Sequence, residues 1–265
     1  GKHGENGKLS LTYIKLINQQ QPDFFLFENV KGLWSTQKHR KFYDKIKKKV
    51  QSKGYVLTDK LINSIEFGSP QDRWRILLFG ATKKALKYSE NRKKIKDHLN
   101  GFNWDTHTLY TSKNAFEYPW PKTNPFVENS DMSAPNIIPI KLTAQAWFEK
   151  NKTNNHPNTE HCFTPRAGIK KFRIIDEGDD SRKSYKRIHR WRYSPTACYG
   201  NNEVHLHPYK ARRLNVAETL ALQSLPHNFE LPDNMSLTNM FKSIGNGVPY
   251  LTAKGVAKTI RDYLK

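Results

Sequence analysis

The residues able to do chemistry fall in separate short stretches. Glu28, Asn29 and Val30 follow directly on the apolar run at residues 24–27. A carboxyl group at the end of a buried strand is half desolvated, which raises its pKa and lets it donate a hydrogen bond near neutral pH. Residues 71–75 read Gln-Asp-Arg-Trp-Arg, immediately ahead of a second apolar run. Alternation along a strand sets Arg73 and Arg75 on one face, where two guanidinium forks could meet one anionic or carbonyl-rich ligand. Residues 245–249 read Gly-Asn-Gly-Val-Pro. This is a tight turn whose glycines allow close backbone approach, and Asn246 offers both a donor and an acceptor. From Arg166 to Arg192, basic side chains interleave with Tyr185, His189 and Trp191. Such a mixture can hold phosphates and base faces together. Taken singly, each stretch is also what a helix cap, a structural ion pair or an ordinary turn looks like.

Elements must hold these groups in place. Leu9, Tyr13, Leu16 and Ile17 recur at helical spacing, and Pro22 stops that helix. Residues 24–27 form a continuous apolar strand, the pattern of one covered on both faces. Phe42, Ile46 and Val50 place a helix over 37–52, closed by Gly54, and strands at 55–62 and 75–79 follow. Alternating helices and strands imply a parallel α/β sheet, with ligands bound outside the carboxyl ends of its strands. Between Gly101 and Pro165 lie seven of the 14 prolines, a density that leaves no helical period. That segment reads as a smaller loop-rich or β-rich module. Asn215 to Glu218 forms a variant capping box that opens a helix through Leu222. A last helix runs from Pro249 to Tyr263.

Composition narrows the classes of function. The 265 residues carry 45 basic and 24 acidic side chains, a net charge of +21, as suits a partner rich in phosphates. Hydrophobic residues at 36% and aromatics at 12% argue for a folded chain. The lysines of 38–60 and 83–98 read as solvated helix faces. No apolar run nears the ~18 residues that span a bilayer, so no membrane role is expected. Residues 1–6 lack the apolar core of a signal peptide. Cys162 and Cys198 can neither build a disulfide framework nor fill a four-thiolate zinc site. The expectation is a protein of a reducing cytosol with no metal centre.

In their order along the chain, these stretches resemble the DNA (cytosine-5)-methyltransferase family of restriction-modification systems. Residues 25–32, Phe-Leu-Phe-Glu-Asn-Val-Lys-Gly, are similar to its Glu-Asn-Val segment. Gln71, Arg73 and Arg75 match its Gln-x-Arg-x-Arg segment. Arg213-Leu214-Asn215 through Glu218 to Leu222-Gln223-Ser224-Leu225-Pro226 resembles its Arg-Leu-Thr…Glu…Leu-Gln-x-Phe-Pro helix. Residues 244–249 resemble its closing Ile-Gly-Asn-x-Val-Pro. The resemblance implies an α/β fold, with an incomplete Rossmann-like methyltransferase sheet and a smaller loop-rich or β-rich target-recognition domain. Residues 1–100 and 234–265 would form the partial catalytic domain and 101–233 the target-recognition domain. Glu28 would hold ring nitrogen 3 and the amino group of a flipped cytosine, and Arg75 its carbonyl oxygen. Arg73 would brace the loop or a phosphate. Asn246 and Val248 would line an S-adenosyl-L-methionine pocket. Double-stranded DNA would meet Thr196, whose follower Ala197 stands where the family has Leu, Ile or Val, and Gly200. Lys183, Lys186, Arg187, Arg190 and Arg192 would grip phosphates while the base is swung out.

The family's reaction begins with a cysteine thiolate in a Pro-Cys pair. No Pro-Cys occurs in this sequence, and the family's Phe-x-Gly-x-Gly segment is also absent. Cys162 and Cys198 read as small buried residues. The first residues resemble the stretch that follows the family's catalytic loop. The chain therefore reads as the carboxy-terminal two-thirds of a methyltransferase, unable to methylate DNA alone. It would be a fragment, one half of a two-chain enzyme that needs a missing amino-terminal segment or a complementing subunit, or a non-catalytic DNA-binding relative. Cys162-Phe163-Thr164 echoes the family's tRNA-methylating branch and keeps an RNA substrate as an alternative. A truncated sheet should also expose an unpaired edge.

Overall fold

Phe25 and Phe27 point into a core while Phe24 and Leu26 stand 52% and 39% exposed, so β1 (Phe24–Val30) buries one face only. This corrects the expectation of a strand covered on both sides. A computed structural model describes residues 5–86, 99, 101–165, 169–197, 199 and 203–265, the side chains of 5–7 excepted. The chain divides into two compact units, residues 1–62, 74–107 and 256–265 in the first, residues 63–73 and 108–255 in the second.

The first unit is a three-stranded sheet with its main helical layer on one face. Its order is β1, then β3 (Trp74–Thr82), then β2 (Tyr55–Asn63), with only Asn63 counted in the other unit. β1 and β3 run antiparallel, with Phe24 opposite Ala81 and Val30 opposite Arg75. The parallel sheet expected from helix–strand alternation is thus corrected. The helices α2 (Lys31–Ser35) and α3 (Gln37–Gln51) join β1 to β2, but β3 lies between those two strands. Helix α1 (Glu5–Gln20) contributes Ile14 and Ile17 to a core with Leu33, Tyr43, Ile46 and Val50. That core meets Phe25, Phe27, Tyr55, Leu57, Ile76 and Leu78 of the sheet. The opposite sheet face is covered in part: Phe79 packs on Phe102, which packs on Trp104 and Tyr263. At β1 it is open, with Val30 also 54% exposed. A short helix α4 (Lys83–Leu86) follows β3.

Prolines and short helices shape the second unit. It holds α5 (Ser112–Glu117), α6 (Ala144–Lys150), α7 (Ile169–Phe172), α8 (Val216–Leu222) and α9 (Leu237–Asn246). α10 (Tyr250–Leu264) begins here and passes at residue 256 into the first unit. Each short helix needs its free backbone N–H groups satisfied. Thr111, Thr143, Asn215 and Ser236 do so by accepting from the N–H of Asn114, Ala146, Glu218 and Asn239. At α8 the expected capping box is complete, because Glu218 also accepts from the Asn215 N–H at 2.9 Å. Trp147, Phe148, Ile188, Leu214, Leu220, Phe241 and Ile244 share one core that joins α6, α8 and α9. Extended segments pair as isolated bridges such as Gln71 with Ser194 and Asn124 with Glu177.

Candidate active site

In the β1–β3 register Glu28 lies opposite Leu77 and Val30 opposite Arg75, so Glu28 and Arg75 are diagonal neighbours on one sheet face. Arg75 Nε stands 2.7 Å from Glu28 Oε1, with side-chain exposures of 12% and 29%. Arg75 Nη1 also donates to the Trp74 carbonyl at 2.8 Å, which orients the guanidinium. Asn29 ties the strand end to α1 by donating to Ser10 Oγ at 3.3 Å, and its Oδ1 accepts from the Val30 N–H. The contact is an ion pair between a carboxylate and a guanidinium on one sheet face. The pair brings a carboxylate and a guanidinium to one place, half open to solvent. Those groups complement a ligand edge that presents N–H groups beside a carbonyl oxygen.

Arg73 behaves differently, and the shared ligand expected for Arg73 and Arg75 is corrected. Arg73 precedes β3 and is 1% exposed. Its Nη1 donates to the Ala197 carbonyl at 3.0 Å, and its Nη2 to the carbonyls of Gly245 and Gly247 at 2.8 and 3.0 Å. A guanidinium committed to backbone in this way braces loops and does not meet a phosphate. Residues 245–249 are also not wholly a turn: Gly245 and Asn246 close α9, and Gly247 is its C-cap. Asn246 is exposed and Val248 half-buried, which presents an amide and an apolar face from one short segment. Next to that amide, Gly247 leaves a backbone a ligand can approach: a Cβ there would meet no other atom closer than 3.4 Å. An amide, a bare backbone and an apolar side chain fit a ligand with both polar and apolar parts, as S-adenosyl-L-methionine has.

The basic stretch sorts into buried and accessible groups. Arg187 is 0% exposed and donates to the carbonyls of Ile175, Phe172, His207 and Lys210. Burial pulls its pKa down to about 10. Arg190 is 3% exposed and forms a buried pair with Glu177, Nη2 to Oε2 at 2.8 Å, with further bonds to Ser130. Both are corrections, because a guanidinium held by interior acceptors has no donors to offer a phosphate. Arg192 is half-buried and reaches the Gly178 carbonyl and Asp180. Lys183 is exposed and Lys186 half-buried. Thr196 is half-buried and donates its hydroxyl to the Asp72 carbonyl at 2.5 Å, so that proton is already used. Gly200 and Cys198 lie outside the described residues. Cys162 is half-buried with its thiol toward the Arg213 carbonyl at 3.5 Å, and burial pushes its pKa up. A nucleophilic cysteine needs the opposite shift.

Two residues escaped the sequence reading. Glu177, 2% exposed, is the counter-charge that lets Arg190 be buried, and nothing in the chain order marks it. Gln223 donates to the Ile244 carbonyl at 2.6 Å and so ties the end of α8 to the glycine turn. Its place in Leu-Gln-Ser-Leu-Pro was a signal that such a tie could have been sought.

Comparison with known proteins places the chain in a family. Residues 1–262 match the family described as C-5 cytosine-specific DNA methylase. The chain is 55% identical over its whole length to Type II methyltransferase M.NmeDI of Neisseria meningitidis serogroup C, and spans 60% of that protein. It is 27% identical to Type II methyltransferase M.FnuDI of Fusobacterium nucleatum, with 99% of this chain and 72% of the relative covered. A crystal structure described as a prophage-encoded DNA modification methyltransferase from E. coli superposes with a TM-score of 0.61 at 22% identity, over 97% of this chain and 74% of that one. That likeness shows the Rossmann-like methyltransferase fold, of which the small antiparallel sheet here is part. The chain belongs to the C-5 cytosine-specific DNA methylase family.

Proposed function

We propose that this chain carries the base-holding and target-recognition parts of a restriction-modification enzyme that methylates carbon 5 of cytosine in double-stranded DNA. The observation that carries this reading is the 2.7 Å contact between Glu28 and Arg75. A flipped cytosine would replace that contact: Glu28 would take ring nitrogen 3 and the exocyclic amino group, and Arg75 the carbonyl oxygen. Protonated Glu28 at nitrogen 3 would offset the negative charge that builds in the ring during attack at carbon 6. A duplex hides these atoms, so the base must leave the stack, at a cost of a few kcal/mol that phosphate contacts offset. Lys183, Lys186 and Arg192 are the basic groups of the 183–192 stretch best able to make such contacts. Thr196 and Gly200 would lie along the DNA backbone.

S-adenosyl-L-methionine supplies the methyl group when bound, and Asn246 and Val248 would hold it. Roles would divide as residues 1–100 and 234–265 for catalysis and 101–233 for target recognition. The attacking thiolate would come from a segment or subunit matching the part of the Neisseria relative that this chain does not span. Phe24, Leu26 and Val30, exposed around Glu28 on the open face of β1, are the apolar surface such a segment would cover. The protein would work in the bacterial cytoplasm.

The test adds the corresponding amino-terminal segment of the Neisseria relative to the purified chain and follows labelled methyl transfer to duplex DNA. The chain alone is expected to transfer nothing and the mixture to transfer methyl groups to cytosine. Glu28→Gln should lower transfer by about 10²–10⁴-fold, the range for a positioned acid. Transfer by the chain alone, or a preference for tRNA over duplex DNA, would overturn the reading.

A further inference from the structure

Arg73 is more than a buried brace, because of what its three acceptors belong to. The Ala197 carbonyl follows Thr196, the proposed DNA contact, while the Gly245 and Gly247 carbonyls flank Asn246, the proposed cofactor contact. All of these lie within the second compact unit. The neighbouring bonds tighten the same connection. Gln71, 0% exposed, accepts from the Ala197 N–H at 3.4 Å and donates to the Leu222 carbonyl at 3.3 Å. Asp72 donates its N–H to the Ser194 carbonyl and accepts from the Thr196 hydroxyl. Gly245 lies so close to residue 199 that a Cβ on it would meet the Tyr199 nitrogen at 3.1 Å. Arg73 is itself pinned, since its N–H donates to Asn63 Oδ1 and its carbonyl accepts from the Ser64 N–H.

We infer that Arg73 is a positioning residue that couples the cofactor-binding turn at 245–248 to the DNA-contacting segment at 194–199. This rests on the roles proposed above for Asn246, Val248 and Thr196. A guanidinium holds its donors in one rigid plane, so carbonyls that share it cannot move independently. A ligand that fixes residues 246–248 therefore also fixes the carbonyl of Ala197, and the second ligand has less order left to impose. The coupling is reciprocal: the cofactor raises DNA affinity by the factor by which DNA raises cofactor affinity.

The experiment measures duplex DNA binding with and without S-adenosyl-L-homocysteine, and binding of S-adenosyl-L-homocysteine with and without DNA. It uses the chain together with the complementing segment of the preceding test. The two ratios should agree and exceed about fivefold, the lower end for coupled sites. Arg73→Lys keeps the charge but loses the fork, and should bring the factor close to one. Amide hydrogen exchange at residues 194–199 of the unaltered protein supplies a readout that needs no variant, with slower exchange expected once S-adenosyl-L-homocysteine is bound. Binding of both ligands with a factor of one and unchanged exchange would overturn the coupling. A full factor retained by folded Arg73→Lys would overturn the assignment to Arg73. Failure to bind either ligand would instead sink the functional reading beneath it.

Discussion

Two of the arginine–carboxylate pairs, one in each compact unit, live in different surroundings. Glu28 and Arg75 in the first unit touch at 2.7 Å with 29% and 12% of their side chains exposed. Glu177 and Arg190 in the second touch at 2.8 Å with 3% exposed on each side. Around the buried pair every direction is occupied: Glu177 also accepts from the Arg190 N–H, and Arg190 also reaches Ser130. The open pair sits on a sheet face where Phe24, Leu26 and Val30 meet solvent. Two ions already in partial contact with water lose little when they separate, whereas separating a buried pair strands a charge in a poor solvent. The same two residue types therefore stand in opposite settings: a pair open to water, and a buried one that holds a fold.

One expected difference between the units tests that contrast directly. Glu177→Ala leaves the Arg190 guanidinium buried without its counter-charge and should cost about 3–5 kcal/mol of stability. Urea denaturation followed by tryptophan fluorescence and circular dichroism would measure it. A loss under about 1 kcal/mol would show that the interior of the second unit solvates charge far better than its packing implies.

Acid should separate the units next. Burial holds His189 down at about 4 and His205 and His207 down at about 3, all three in the second unit. Charges around them modify this: Glu177 favours and Arg190 and Arg192 oppose protonation of His189, and Lys186 opposes it at His205. At His207, Glu218 favours it while Arg212, Lys210 and Arg187 oppose it. In the unfolded chain a histidine takes up its proton near pH 6.5. Stability is thus full above about 6.5 and falls below it by about 1.4 kcal/mol per pH unit for each histidine. The fall ends only where the folded groups protonate, near 4 and 3. Hydrogen exchange at pH 7 and pH 5 should show the second unit opening more readily at the lower pH. Equal acid sensitivity in both units would contradict this.

How much of this was legible in the sequence follows from how local each signal is. The helices at α1, α3 and α10 and the capping box at Asn215 were readable, because periodicity and caps act within a few residues. Glu28 and Arg75 could be paired from the chain only through the family resemblance, since strand register is a tertiary property. The antiparallel partner of β1 was hidden because nothing in the order of helices and strands says that β3 lies between β1 and β2. Arg187 and Arg190 looked like a phosphate-binding run for a related reason. Charge is visible in a sequence, but burial by Glu177, Ile175, Phe172 and His207 is not.

A finer comparison concerns helix starts. Asn215 caps α8 with its side chain, whereas Thr36 at the start of α3 makes no such bond. Asn215→Ala should cost about 1 kcal/mol, within the range for lost caps, and Thr36→Ala nearly nothing. Thermal denaturation of the two variants would sharpen the view that the second unit depends on individually satisfied polar groups. Equal shifts would blunt it.

A small expected change in stability carries the most weight for function. Glu28→Gln keeps the size and a carbonyl oxygen that can still accept from Arg75, and removes only the charge. For a pair this accessible to water the loss should stay between about 0 and 1 kcal/mol. On the proposed role of Glu28, binding of duplex DNA that carries a cytosine already out of the stack should nevertheless weaken. A carboxyl can pass its proton to ring nitrogen 3 and form a charge-assisted pair, whereas an amide meets ring nitrogen 3 and the amino group only with neutral hydrogen bonds. Isothermal titration beside urea denaturation would read both quantities on one variant. A large drop in stability would place Glu28 with Glu177 as a structural group. Unaltered affinity for the extruded cytosine would mean that the open pair merely closes the end of a strand.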